Sequence, residues 1–137
     1  MSRITTNQST HDDAVRAAAS IYRKKGRTVS INPDGEKNES WSGYYIDVIA
    51  KRSNSATSAW VIEIETEDSV SEAEAEKQWV DYDKAYTQAW YLAVPVEEKE
   101  NAKGLLRQFG IQHCTVVTWQ QNNDDTHTFW GLPGTKD

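Results

Sequence analysis

The chain has one cysteine, Cys114, among 137 residues. An intramolecular disulfide is therefore excluded, CxxC metal sites are excluded with it, and a lone thiol suits a reducing, cytoplasmic setting. Long hydrophobic runs are also missing, so no membrane span is expected. Met1-Ser2-Arg3-Ile4-Thr5-Thr6-Asn7-Gln8 lacks the apolar region of a secretory signal. There are no internal repeats and no linker. The length suits one domain with an adequate core, residues 1–8 being polar and expected to fray. Positive charge is in the minority: 15 Lys and Arg stand against 21 Asp and Glu, a net charge of −6. That argues against a general nucleic-acid coat protein, which draws on clustered cations. A local basic rim around an acidic, metal-loaded cleft stays compatible with it. Aromatics are plentiful, with six Trp and six Tyr; most belong in a core, and some suit stacking on a ligand.

The stretch that organises the chain is Ala59-Trp60-Val61-Ile62-Glu63-Ile64-Glu65-Thr66. Its period of two predicts a strand with two different faces. Trp60, Ile62 and Ile64 share one face and enter a core. Val61, Glu63 and Glu65 share the other, which puts two carboxylates next to an apolar segment. Carboxylates so placed need a cation or a hydrogen-bonding partner.

Around this strand the remaining elements follow from periodicity and turn residues. Ser9 and Thr10 precede acidic residues and predict the start of a helix from about Asp12 to Lys25, with Val15, Ala18 and Tyr22 inward and Gly26 closing it. Arg27–Ile31 reads as a short strand, and Asn32-Pro33-Asp34-Gly35 as a turn. Gly43–Ala50 reads as a second strand, with Tyr45, Asp47 and Ile49 on one face. A helix from about Glu72 to Thr87, capped by Ser71, buries Ala75, Trp79, Tyr82 and Tyr86. Ala89–Val94 is nearly all apolar, as a strand covered on both faces should be. A third helix spans about Val96–Phe109, and Cys114–Trp119 and Thr126–Leu132 form a terminal hairpin around an Asn122–Asp125 turn. The order α-β-β-β-α-β-α-β-β predicts an α/β sandwich with a mixed central sheet.

Asp47, Glu63 and Glu65 come from adjacent strands. If the hairpin pairs Asp47 beside the Glu63 end, three carboxylates converge, and hard oxygen ligands of this kind suit Mg²⁺ or Mn²⁺. Asp47 followed by Glu63-Ile64-Glu65 on a hydrophobic strand resembles the PD-(D/E)XK, or restriction-endonuclease-like, nuclease superfamily. Gln78-Trp79-Val80-Asp81-Tyr82 is similar to the QxxxY motif of its RecB-like branch, and Gly43 before Asp47 is similar to that branch's Gly-x-x-Asp element with one extra residue. The resemblance covers roughly residues 12–94. It implies an αβββαβ core, to which a C-terminal helix and hairpin are added. It implies a metal-dependent nuclease hydrolysing DNA, rather than RNA, phosphodiesters. Asp47 and Glu63 would hold the ion, with Asp12 the best match to an acidic residue on the first helix. Glu65 stands where the family usually has lysine and takes the role of orienting or deprotonating water; Gln78 and Tyr82 steady the site. Ile46 stands where the family often has proline. The alternative is a catalytically inactive member of the fold, used for binding or assembly as a homodimer or with a protein partner. A third reading is an unrelated α/β domain whose acidic strand binds Ca²⁺ or nothing.

Other side chains carry plainer expectations. Lys51 or Arg52 is available to pair with Glu65. Gln78 and Tyr82 also suit a helix surface and a core, and Asp12 suits a helix N-terminus. His11, His113 and His127 show no metal-ligand spacing and read as structural or exposed. Arg23-Lys24-Lys25-Gly26-Arg27 complements a helix end or forms a phosphate-contacting rim. Glu97-Glu98-Lys99-Glu100 reads as a solvated first turn. Cys114 is expected as a small core residue; Trp119 and Trp130, on the terminal hairpin, suit the core first, with a dimer seam or a stacking platform as the alternatives.

Overall fold

The alternating segment becomes a strand, β3 (Ala59–Ile64), inside a six-stranded sheet. The computed structural model describes residues 5–135. Helix α1 (Thr5–Lys24) leads into β1 (Thr28–Ile31), β2 (Val48–Lys51) and β3. Helix α2 follows as three joined pieces, an α-turn Glu72–Glu74, a π-helical stretch Ala75–Trp79 and an α-helical segment Val80–Ala85. Then come β4 (Trp90–Pro95), a 3₁₀ turn Val96–Glu98 entering helix α3 (Lys99–Gln108), β5 (Cys114–Gln121) and β6 (His127–Trp130). The strands stand side by side in chain order. β1, β2 and β3 form an antiparallel meander, β3, β4 and β5 run parallel, and β6 returns antiparallel. The protein is therefore mixed α/β, with the element order expected from the sequence.

Each parallel step needs a crossover, and α2 and α3 supply the two. Both lie on one face, where Trp79, Tyr82, Leu105 and Leu106 cover Ile49, Val61, Leu92 and Val94. On the opposite face Ala14, Val15, Ala18 and Tyr22 of α1 cover Val48, Ile62, Ile64 and Ala93. The two faces of β3 thus both meet helices. Trp79 and Trp90 are fully buried, each worth on the order of 3 kcal/mol in apolar area removed from water.

Several boundaries differ from the sequence expectation. Helix α1 begins at Thr5, so residues 5–8 are helical and Ser9 and Thr10 lie inside the helix; residues 1–4 lie outside the described region. A buried face that recurs from His11 to Tyr22 anchors the helix, and one polar turn extends it beyond that anchor. Strand β2 begins at Val48 because the chain turns first: Ser42 and Gly43 both have positive φ, +53° and +89°, and Trp41 and Tyr44 close a tight bridge. Strand β6 is shorter than Thr126–Leu132. Trp119 is in the core, whereas Trp130, on the edge strand, is 47% exposed, against expectation. Cys114 is only partly buried, packed against the core. Beyond β6 the chain folds back on α1, where Tyr22 donates to the Pro133 carbonyl at 2.7 Å. Gly134 is required there, since a Cβ would lie 2.6 Å from the Trp60 ring. Among the described residues no helix is long and apolar enough to cross a membrane.

Candidate active-site cleft

The β2–β3 register fixes the site. Val48 pairs with Ile62, which sets Asp47, just before β2, beside Glu63. The Asp47 N–H donates to Glu63 Oε1 at 3.3 Å, and the Ile64 N–H donates to Asp47 Oδ2 at 2.8 Å. Both side chains are almost completely buried, at 5% and 4% exposure. Both border a cleft of about 200 Å³ at the carboxyl end of β3. Burial, then the charges of Asp47 and Glu65, push the Glu63 carboxyl well above the ordinary carboxylate range; the Asp47 N–H pulls weakly the other way.

Helix α2 builds the facing wall. Glu74, Gln78 and Tyr82 recur every four residues and all line the cleft. With its amide oriented to satisfy its neighbours, Gln78 donates to Glu63 Oε2 at 3.2 Å and to Glu74 Oε2 at 2.9 Å. Glu74 is itself buried. The sequence reading missed it, although its position one turn before Gln78 was the available signal. The π-helical stretch Ala75–Trp79 begins just after Glu74 and contains Gln78, a distortion frequent at functional sites. Tyr82 packs edge-on against Tyr44 and Trp90. Burial and the charges of Glu63, Asp47 and Glu65 push its phenol far above the usual range, so it stays a neutral hydroxyl.

Glu65 sits behind the cleft wall rather than on it. It is fully buried, with Oε1 accepting from Ser69 Oγ at 2.7 Å and Oε2 from Trp79 Nε1 at 2.8 Å. Burial raises its carboxyl to about 8; the Ser69 and Trp79 hydrogen bonds lower it, and the Asp47 and Glu74 charges add to the rise. Both oxygens are engaged by the protein, an arrangement that does not suit the water-orienting role expected of Glu65. The expected pairing with Lys51 is also replaced. Lys51 bonds Glu39 at 3.1 Å and lies over Trp41, because it leaves the sheet at the opposite end of β2.

His11, expected to be structural or exposed, is the former, and its partners are ones that the sequence did not indicate. It is fully buried, and its Nε2 lies 3.0 Å from Asp47 Oδ2. Its Nδ1 lies 3.0 Å from Asp12 Oδ1 and 3.6 Å from Asp34 Oδ1. Carboxylates only accept, so an imidazolium satisfies contacts on both nitrogens and a neutral ring those on one. Asp12 is therefore joined to Asp47 through the imidazole, rather than beside Asp47 and Glu63 as a third ligand. No spacing rule finds such a histidine; only the packing of α1 on β2 does.

Asn32, read from sequence only as a turn residue, organises the loop between β1 and β2. Its amide donates to the Glu39 and Ile46 carbonyls at 2.7 and 2.8 Å, and its oxygen accepts from the N–H groups of Asn38 and Glu39 at 2.7 and 3.0 Å. One buried side chain thereby ties this loop to the residue preceding Asp47. Asn32→Ala is expected to lower stability by about 2–4 kcal/mol, since it leaves several groups unpaired. Urea unfolding measures this, and a variant within about 0.5 kcal/mol of wild type would show that the loop is held by other contacts.

The donor set tests whether a hard divalent ion suits the cleft. Asp47, Glu63 and Glu74 bring carboxylate oxygens to one cavity, and among the described residues no lysine or arginine pairs with Asp47 or Glu63. Oxygen donors are the chemistry that Mg²⁺ or Mn²⁺ takes. Among the described residues, however, neither Asp47, Glu63 and Glu65 nor Asp47, Glu63 and Glu74 gather one ligand atom each within 4.8 Å; His11, Asp12 and Asp34 do. Comparison with known proteins finds no matching family model, no matching curated protein and no matching solved structure.

Proposed function

We propose that the protein is a metal-dependent nuclease with a restriction-endonuclease-like αβββαβ core, cutting DNA phosphodiesters in the cleft between β3 and α2. The observation that carries this reading is the pairing of Asp47 with Glu63 across the β2–β3 register, opposite Gln78 and Tyr82. Asp47 and Glu63 would hold the ion. A bound Mg²⁺ or Mn²⁺ supplies a nucleophilic water at neutral pH and charge neutralisation at the phosphate. Gln78 fixes the orientation of Glu63 and Glu74 through its amide. Glu74, in the cleft wall, is the carboxylate left to accept the proton of the attacking water, and the Tyr82 ring lines the same cleft. Glu65 acts from behind as a buried support, fixing Ser69 and Trp79 beneath the cleft wall.

The test is incubation of the pure protein with labelled DNA in Mg²⁺, Mn²⁺ or EDTA. Cleavage that requires the ion is expected. A second reading, a catalytically inactive binding or assembly module of the same fold, is favoured by the His11 contact to Asp47 and the enclosure of Glu65. Absence of cutting in either ion, together with recovery of a defined homodimer or protein partner, would select it.

A further inference from the structure

The cleft walls are acidic, and a phosphate approaching Asp47, Glu63 and Glu74 meets like charge. One cation borders the cleft: among the residues that line it, Lys37 is the single lysine or arginine, and its loop neighbours Asp34 and Glu36 add to the negative side. The Lys37 ammonium lies 5.9 Å from the centroid of the Tyr45 ring, close enough for a cation–π attraction. Tyr45 also lines the cleft and is 46% exposed, so the pair stands at its mouth. Their position is built into the fold. The Asn32 amide holds Asn38 and Glu39, directly after Lys37, and also Ile46, which lies between Tyr45 and Asp47. A single buried side chain therefore sets the spacing between the cation and the carboxylates.

We infer that Lys37, steadied by Tyr45, is the phosphate-contacting residue of this cleft, reaching the substrate from the loop between β1 and β2. The inference takes its substrate class, a DNA phosphodiester, from the nuclease reading. Its test uses the full chain as wild type, Lys37→Met, Lys37→Arg and Tyr45→Ala. Binding of fluorescein-labelled DNA is followed by anisotropy in Ca²⁺ at several salt concentrations, and cleavage of the same DNA is followed in Mn²⁺. Lys37→Met is expected to weaken binding about 5-fold or more and to reduce the salt slope by about one, as loss of one phosphate contact does. Lys37→Arg should restore most of the binding, and Tyr45→Ala should fall between. A cleaving wild type whose Lys37→Met variant binds and cuts equally well overturns the role of Lys37 and leaves the nuclease reading intact. A wild type that binds DNA through Lys37 without cutting it overturns the nuclease reading and leaves the contact. Failure of the wild type to bind or cut DNA overturns both.

Discussion

Glu63→Ala is expected to lower metal-dependent cleavage by at least about 10³-fold, equivalent to roughly 4 kcal/mol of transition-state stabilisation. Glu63 is one of two side chains assigned to the ion and the one that connects both walls of the cleft, accepting from the Asp47 N–H and from Gln78. Its loss of activity is separable from unfolding. Burial and neighbouring charge hold Glu63 far above the ordinary carboxylate range, so its ionised form is a burden on the metal-free fold. Removing it should leave the thermal midpoint in EDTA unchanged or raise it, while calorimetric titration shows weakened Mn²⁺ binding. Glu63→Gln keeps the shape and should behave alike. Full cleavage by either variant would end the assignment of Glu63 to the ion.

Much of the architecture was legible because the strands carry strong periods. The alternation from Ala59 to Ile64 and the apolar run at Trp90–Val94 identified the centre of the sheet, and the spacing of Ala75, Trp79, Tyr82 and Tyr86 identified the buried side of α2. The Asp47–Glu63 neighbourhood was also legible, since an antiparallel pair joined by a loop allows few registers that keep Val48 and Ile62 in the core. What escaped detection depends on contacts far apart in the chain. His11 meets Asp47 36 positions later, and Trp79 reaches Glu65 only across the α2–β3 interface. Asn32 looked like turn chemistry because its four hydrogen bonds run to backbone groups, and backbone groups are the same whatever the residue. Glu65 shared a face with Glu63, but face alone does not tell a cleft wall from the layer behind it.

That enclosure gives Glu65 the other large expected effect, on stability rather than catalysis. In EDTA the wild-type protein should lose stability as pH rises from about 5 to about 8.5. An ordinary glutamate in the unfolded chain ionises near 4.5, whereas burial holds the folded carboxyl up to about 8. The folded state therefore keeps a proton that the unfolded state has released. Its contribution is fully present below about 4.5 and disappears as pH passes through the folded value. Glu65→Gln should remove the Glu65 share of this dependence and leave that of Glu63, whose carboxyl is also held above the ordinary range. The amide suits the site: its oxygen accepts from Trp79, and its NH₂ faces Ser69 Oγ, whose hydroxyl then points to the Thr66 carbonyl at 3.2 Å. At about 1.4 kcal/mol per pH unit, the variant should exceed wild type at pH 8.5 by about 2–4 kcal/mol, or roughly 10 °C in thermal midpoint. Near pH 5 the two should agree within about 1 kcal/mol. A wild-type midpoint that stays flat across this range, or a Gln variant that is destabilised at both ends of it, would mean that Glu65 is ionised in the folded protein and matched by a cation. The carboxylates beneath the cleft would then already be neutralised by the chain itself, and the electrostatic case for a divalent ion at Asp47 and Glu63 would lose its footing.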